Sequence, residues 1–310
     1  MIRFPYVHKN VKGGIVKMEK TENNGYLKGF VPFIIAAAVL SLCGGFTAAI
    51  PANVVTAWGL DSGATTWITL AYSLGAAAMA PIMGKLGDVL GRRTTLLLSM
   101  LIYGGGQLLI AVCPDGGFVP ILLFRFLVGL GAAGIAPVVM AYIMTDFPQE
   151  KMGQGFAIYM FVSCGMVIFG PTVGGIIMSL TGWRPVMWIC VVCCIIALVL
   201  CFTMIKKDEG PTKTLAGFDF AGAVFVLVFF SMVLSIPTFG QNSGWTAAPT
   251  LVCIVCGVVS FLILLAIEKK AKNPILNGTF MARKRFVLPV IVLFLSQGLL
   301  QSCMTNIIMF

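Results

Sequence analysis

The chain contains nine long apolar runs, and each is long enough to cross a lipid bilayer as a helix. A bilayer core about 30 Å thick is spanned by about 20 apolar residues of α-helix. Transmembrane β-strands are segments of about ten residues with alternating polarity, whereas these runs are continuous and about twice as long. The sequence therefore predicts an all-α membrane protein. The nine predicted spans are Gly29–Ile50, Thr65–Met83, Thr94–Cys113, Phe118–Tyr142, Gly155–Leu180, Pro185–Ile205, Phe220–Phe239, Thr246–Ile267 and Phe286–Phe310.

The composition supports the same class of protein. Of 310 residues, 59% are hydrophobic and 10% are charged, against about 25% charged in soluble proteins. A net charge of +10 could suggest a nucleic-acid partner. However, 19 of the 21 Lys and Arg residues lie in the N-terminal tail and in the loops after even-numbered spans. Such a bias marks cytoplasmic loops, so we expect a cytoplasmic N-terminus, a cell (inner) membrane location and no nucleic-acid partner.

Both ends of the sequence carry expectations of their own. Met18 is a plausible alternative start, so residues 1–17 are expected to be a gene-model extension. The sequence stops at Phe310 inside an apolar run, whereas natural C-termini usually end in exposed polar residues. We therefore expect a C-terminal truncation.

The loop between the second and third predicted spans reads Gly-Lys-Leu-Gly-Asp-Val-Leu-Gly-Arg-Arg from Gly84 to Arg93. Glycines permit a tight turn, an aspartate can accept hydrogen bonds from the first amides of a helix, and arginines anchor a span at the interface. This loop resembles the signature of the major facilitator superfamily, although valine follows the aspartate where many members have arginine. The resemblance implies a cytoplasmic latch that sets the conformational equilibrium. Its residues are Gly84, Asp88, Gly91, Arg92 and Arg93.

The fifth predicted span contains a proline beside several glycines. Proline removes a backbone donor, and stacked glycines let a neighbouring helix approach closely, so ordinary packing is one explanation. The spacing also resembles the antiporter signature of the same superfamily. This resemblance implies that the substrate is exchanged for an ion rather than carried with it by symport. The residues that match it are Gly165, Gly170, Pro171, Gly174 and Gly175.

Arg125 lies within the fourth predicted span, about two helical turns from its start. An arginine inside a membrane costs roughly 2.5–3.5 kcal/mol on insertion scales, so it either reaches the interface or faces a cavity or a partner. Major facilitator proteins place a functional arginine at this point, and the resemblance implies a role for Arg125 in proton or substrate coupling. The following Gly129-Leu-Gly-Ala-Ala-Gly134 matches a dinucleotide fingerprint but lacks the flanking strand, so helix packing is the better explanation.

Other chemistries find little support. The Cys-x-x-Cys pairs at Cys190 and Cys253 lie in apolar spans, and His8 is the only histidine, so no metal site is predicted. No nucleophile–histidine pair or phosphate-binding loop is present, and we expect neither an enzyme nor a bound cofactor. The last predicted span carries a polar stripe that either bonds neighbouring helices or lines a cavity. The stripe consists of Gln297, Gln301 and Thr305.

Beyond the sixth span, the sequence resembles the insert helices of 14-span drug:proton antiporters, in which two extra helices separate two six-helix bundles. The resemblance rests on the run from Asp219 through Gly244-Trp245, Glu268, Asn273-Pro-Ile-Leu and Arg285-Phe286. The resemblance implies export of drugs or small lipophilic or cationic compounds by alternating access, with protons as the coupling ion. It also implies that this fragment is inactive alone. None of the 11 acidic residues lies deep within a span, which leaves the proton carrier open.

Two other functions stay open, namely a facilitator or symporter of a small anionic metabolite and a non-transporting membrane sensor or assembly partner. The expected organisation is a tail, a six-helix bundle, a linker, two insert helices, a basic loop and the first helix of a truncated second bundle. Their ranges are 1–28, 29–205, 206–217, 218–268, 269–285 and 286–310.

Overall fold

A computed structural model of the protein describes residues 25–61, 63–205, 220–270, 287–292 and 295–296. These ranges are helical apart from short connections, and a 3-10 turn, Gln149–Lys151, separates the sixth and seventh helices. We number the ten long helices in chain order. They are α1 Gly25–Phe46, α2 Ile50–Trp58, α3 Gly63–Leu90, α4 Arg92–Ala111, α5 Phe118–Ala132, α6 Ile135–Asp146, α7 Met152–Thr181, α8 Trp183–Met204, α9 Phe220–Ser243 and α10 Ala248–Lys270.

The described residues contain eight segments that are long and apolar enough to cross a membrane, and these confirm the first eight predicted spans. The first span is longer than predicted, because α1 and α2 together run from Tyr26 to Trp58. The prediction ended this span before Pro51. Pro51 instead lies in the first turn of α2, where a missing N–H costs little. The ninth span, Phe286–Phe310, falls largely outside the described residues.

The connection between α3 and α4 differs from the prediction. Helix α3 continues to Leu90, so Gly84 lies inside the helix and takes no part in the turn. The chain reverses at Gly91 alone, whose φ of 86° is accessible to glycine but strained for other residues. Asp88 lies exposed in the last turn of α3, and Gly91 caps α4 without a side-chain hydrogen bond, so the predicted capping by Asp88 is wrong.

Helices α1 to α8 pack into one bundle, in which α3 and α4 pack against α5 and α1 packs against α7 and α8. Apolar side chains fill its interior in two main clusters. One cluster surrounds Ile50, Ile68 and Ile110, and the other surrounds Phe33 and Ile143. The outer surface is also apolar, with Phe161 82% and Leu180 78% exposed on α7. A bundle that is apolar inside and outside is suited to lipid rather than water.

Helices α9 and α10 pack against each other, and α9 also packs against α3. Val226 and Leu264 are buried with Ile82 of α3 in a small separate core. Near the other end of α3, the rings of Trp67 and Phe239 meet edge to face at 4.8 Å. The predicted insert helices therefore form a hairpin attached to one side of the bundle.

Candidate functional site

The membrane span formed by α1 and α2 is interrupted at Thr47–Ala49. In an unbroken helix the amide of residue 51 would donate to the carbonyl of Thr47, but Pro51 has no N–H. A guanidinium nitrogen of Arg125 on α5 donates to that carbonyl oxygen at 3.3 Å. The amide of Ile50 donates to the same oxygen at 3.2 Å, so Arg125 adds a second bond to an acceptor that the proline cannot serve.

Arg125 faces the interior of the bundle. It is 5% exposed and lies among buried residues of α5, so it does not extend to the membrane surface as the snorkelling alternative would require. Its Nε atom is buried and has no hydrogen-bond partner among the described residues. An arginine stays charged in proteins, so the interior of this bundle carries a positive charge.

A cavity of about 250 Å³ lies beside Arg125. Five helices contribute to it: the end of α1 with the break that follows, the start of α2, the middle of α3, the middle of α4, and α5. Its wall combines hydroxyl groups and the guanidinium with small apolar residues. The lining residues are Gly44, Thr47, Ala48, Pro51, Thr69, Tyr72, Tyr103 and Arg125.

The glycines that follow Arg125 position the two tyrosines of this wall. A Cβ atom added to Gly129 would lie 2.1 Å from the carbonyl oxygen of Tyr72, and one added to Gly131 would lie 2.3 Å from the backbone nitrogen of Tyr103. Only glycine permits backbones to approach this closely. The packing explanation of the Gly-x-Gly-x-x-Gly run is therefore confirmed.

The glycines of the fifth predicted span fall into two groups on α7. A Cβ on Gly170 would lie 2.7 Å from the Cα of Gly45, and one on Gly174 would lie 2.8 Å from the Cα of Phe46. A Cβ on Gly165 or Gly175 would meet nothing within 4 Å. Two of the four glycines in the antiporter-like motif, Gly170 and Gly174, therefore pack on α1, directly beside the break that Arg125 contacts.

Pro171 belongs to the first of these two groups. Its ring lies 3.0 Å from the position of a Cβ on Gly45, and helix α7 continues through it. Helix α7 contacts Gly45 and Phe46 at the end of α1, and Arg125 contacts Thr47, the next residue. The structure therefore places Arg125 and the antiporter-like motif against consecutive residues at the interrupted segment.

The latch arginines lie at one end of the bundle, far along the chain from Arg125. Arg92 forms an ion pair with Asp146 at the end of α6 and lies over the ring of Tyr142, 6.0 Å from its centroid. Arg93 donates to the carbonyl oxygen of Phe202, in the last turn of α8, at 3.0 Å. The two arginines therefore tie the start of α4 to the ends of α6 and α8.

A second polar cluster lies at the opposite end of the bundle. The carboxylate of Asp115, in the α4–α5 connection, accepts from Trp58 Nε1 at 2.9 Å and from Arg184 at 2.8 Å. Arg184 also donates to the carbonyl oxygen of Cys113 at 2.9 Å. The hydrogen bond from Trp58, followed by the charge of Arg184, lowers the pKa of Asp115 below its usual value. This group, which we call the outer cluster, consists of Trp58, Cys113, Asp115 and Arg184. It joins α2, the α4–α5 connection and α8.

The sequence analysis missed three polar side chains in the bundle. Tyr72 and Tyr103 line the cavity, and Gln107, one helical turn beyond Tyr103, is fully buried. Both amide atoms of Gln107 have no hydrogen-bond partner among the described residues. Tyr103 and Gln107 are four residues apart on α4, and this spacing is the signal that could have revealed those two.

Two further features of the sequence remain to be located. Cys190 is buried in the bundle core, where the thiol of Cys43 approaches its carbonyl oxygen at 3.9 Å. The predicted polar stripe lies outside the described residues, so its role stays a prediction. It comprises Gln297, Gln301 and Thr305.

The profile of the family described as Major Facilitator Superfamily matches residues 33–309. Among similar proteins, the Multidrug resistance protein Stp of Mycobacterium tuberculosis is 24% identical over 72% of this chain and 41% of its own length. The Multidrug transporter protein MdtP of Bacillus subtilis is 28% identical over 76% of this chain and 43% of its own length. The chain thus spans less than half of the length of these two relatives.

Two solved structures share the fold at low sequence identity. The human organic anion transporter MFSD10 superimposes with a TM-score of 0.52 at 12% identity, over 78% of this chain and 71% of its own. The POT family transporter PepTSo superimposes with a TM-score of 0.53 at 17% identity, over 79% of this chain and 55% of its own. At such identities these likenesses describe the fold alone.

Proposed function

The chain belongs to the major facilitator superfamily, and from this premise we propose that it supplies one helix bundle of a secondary transporter that exports drugs or small lipophilic or cationic compounds. The relatives named for multidrug resistance or multidrug transport support this substrate class. In transporters built from repeated bundles, substrate binds near the membrane midplane between two bundles that rock around it. This chain would form one wall of such a site, and a second bundle would complete it.

The observation that carries the proposal is that Arg125 and the α7 motif contact consecutive residues where the first span is interrupted. Discontinuous helices at membrane depth mark binding sites in secondary transporters. Here the break lies beside a cavity, a buried charge and the close contact of Gly45 with Gly170. A movement of α7 against α1 would therefore change the environment of the guanidinium. We propose that Arg125 couples ion or substrate binding to the conformational cycle.

The proposed coupling ion is the proton, and the proposed orientation places the N-terminus in the cytoplasm. The orientation is supported by the ion pairs and loops, since Arg92, Arg93 and Lys151 all lie at one end of the bundle. At that end we propose that the Arg92–Asp146 pair acts as the cytoplasmic latch. Its release would let α4 move relative to α6 during each cycle.

Transport is tested by expressing the chain alone and fused in frame to the C-terminal half of MdtP, in cells without their main efflux pumps. We expect ethidium efflux from the fusion, its loss when a protonophore collapses the proton gradient, and none from the chain alone. Efflux by the unfused chain would contradict the one-bundle proposal. A fusion that reaches the membrane in normal amount but exports nothing would contradict the transport proposal.

Two matched variants test the role of Arg125 in the same fusion. Arg125→Gln removes the buried charge, whereas Arg184→Gln removes an arginine from the outer cluster. We expect the first to abolish efflux at normal membrane abundance and the second to retain it. Equal efflux from both variants would remove Arg125 from the coupling mechanism.

A further inference from the structure

We propose that the cavity beside Arg125 binds a small organic monocarboxylate, whose anionic group is the charge partner of the guanidinium. The proposal goes beyond the transport function above, because it concerns a bound anion and not the exported compound. Its test measures ligand binding to the chain alone and involves no transport. Each of the two proposals can therefore fail without the other.

The first argument is the charge balance of the bundle interior. Five acidic residues have side chains that the structure describes, and all five are exposed in turns or at helix ends. The two ion pairs within the described part of the chain lie at the two ends of the bundle. The neighbours that line the cavity with Arg125 are neutral. A buried charge without a partner is strongly destabilising, and an anion in the cavity would compensate it.

The second argument is the hydrogen-bonding capacity of the site. The guanidinium has five N–H donors, and one of its terminal nitrogens donates to Thr47 at 3.3 Å. Its Nε has no partner among the described residues. The planar fork of an arginine matches the two oxygens of a carboxylate. A spherical halide cannot form the same pair of parallel hydrogen bonds with that fork. Tyr72 and Tyr103 add hydroxyl groups to the same wall.

The third argument is the size and polarity of the cavity. Its volume of about 250 Å³ is well above the roughly 30 Å³ that a water molecule occupies in the liquid. One side of the cavity carries the charged guanidinium, and another part of its wall is apolar. The apolar part consists of Gly44, Ala48 and Pro51. Such a site fits a molecule with one charged end and a compact apolar body. Benzoate has both features and is a suitable probe.

The experiment measures thermal unfolding of the purified chain in nanodiscs, followed by tryptophan fluorescence. Sodium benzoate is titrated against neutral benzamide and against sodium chloride at the same ionic strength. We expect a saturable rise in melting temperature with benzoate alone. Equal shifts with benzamide would show that the carboxylate is not recognised, and equal shifts with chloride would show a general salt effect. Either result, or the absence of a shift, would overturn the proposal.

Variants locate the binding to this cavity. Arg125→Gln should weaken benzoate binding at least about tenfold, whereas Arg184→Gln in the outer cluster should leave it unchanged. Ala48→Leu should also weaken binding about tenfold by filling the cavity, because Ala48 is exposed and lines it. Its matched control is Ala49→Leu, at an exposed position that does not line the cavity.

The Ala48 and Ala49 pair keeps the test decisive if Arg125→Gln does not fold. Both positions are exposed on the same turn, so both variants should fold alike. Benzoate affinity that is equal in the two variants would exclude this cavity as the binding site. A loss confined to Ala48→Leu would place the carboxylate beside Arg125.

Discussion

Arg125 donates a hydrogen bond to the carbonyl oxygen of Thr47, four residues before a proline that cannot make it. Pro51 therefore has two effects on the first membrane span. It ends the regular hydrogen-bonding pattern of α1, and the Thr47 carbonyl, which accepts from the amide of Ile50 at 3.2 Å, takes a second bond from a side chain of α5. Because the guanidinium bonds the backbone where the span is interrupted, we expect the arginine and the break to stabilise each other.

This relationship predicts coupling between substitutions at Arg125 and Pro51. Pro51→Ala restores an N–H to the Thr47 carbonyl, so Arg125→Gln should then cost less stability than in the wild-type background. We expect a coupling free energy of about 0.5–1.5 kcal/mol, the net value of a hydrogen bond. A double-mutant cycle based on urea or thermal unfolding in detergent measures it.

The control for this cycle pairs Pro51→Ala with Arg184→Gln. Arg184 contacts Asp115 and Cys113 in the outer cluster and not the break in α1. The effects of these two substitutions should add within about 0.5 kcal/mol. Additive effects of Pro51→Ala and Arg125→Gln as well would contradict the proposed link.

A second prediction separates the two groups of glycines on α7. Gly170→Ala places a methyl group 2.7 Å from the Cα of Gly45, whereas Gly175→Ala meets nothing within 4 Å. The first should destabilise the bundle by about 1–3 kcal/mol, because backbone on both sides must move. The second replaces a helical glycine without a clash, so it should leave stability unchanged or raise it by up to about 1 kcal/mol. Thermal unfolding of the two variants in one detergent gives the comparison, and similar values would show that α1 and α7 do not meet as described.

Much of the fold could be predicted because lipid imposes a simple rule on sequence. A span must be about 20 residues long and nearly free of charge, and eight segments in the described residues obey it. The cytoplasmic side expected of Arg92 and Arg93 follows from the concentration of cations in the loops on one side of the membrane, and their latch role is what the resemblance implies. The resemblance to a family added the roles expected of Arg125 and of the α7 glycines.

What the sequence did not reveal depends on contacts between helices distant in the chain. The Thr47 carbonyl is 78 residues from Arg125, and no local pattern marks it as a partner. The same holds for Tyr72 and Tyr103, which line the cavity because Gly129 and Gly131 pack against their backbones. The first span was predicted to end at Ile50, whereas α2 continues it through Pro51 to Trp58.

A third prediction concerns the Arg92–Asp146 pair at the latch. The two side chains are 28% and 42% exposed, so solvent weakens their attraction. We expect a coupling free energy of about 0.2–1 kcal/mol from a double-mutant cycle of Arg92→Gln and Asp146→Asn at low salt. In 1 M salt the coupling should fall toward zero, because the Debye length is then about 3 Å. A coupling that does not change with salt would show that the pair is shielded from solvent.

The last prediction uses the lowered pKa of Asp115 in the outer cluster. Because the folded protein holds this carboxylate ionised more strongly than the unfolded chain does, its stabilising effect is present above the unfolded pKa of about 3.9. The effect is lost as the pH falls through the lower pKa of the folded state. Asp115→Asn should therefore lower the melting temperature by a constant amount from pH 8 to about pH 5, and the difference should shrink below about pH 4.

Two variants assign the pH dependence to its causes. The hydrogen bond from Trp58 is the larger cause of the lowered pKa and the charge of Arg184 is the next favourable one. Arg184 also donates a hydrogen bond that lowers this pKa. Trp58→Phe and Arg184→Gln should therefore each reduce the acid-sensitive part of the stability, because phenylalanine keeps a ring but has no N–H to donate and glutamine has no charge. Melting temperatures of the wild type and both variants, measured from pH 3 to pH 8, make the comparison. A wild-type advantage over Asp115→Asn that grows as the pH falls would mean that the carboxylate is held in its protonated form, and the assignment of its partners would then be wrong.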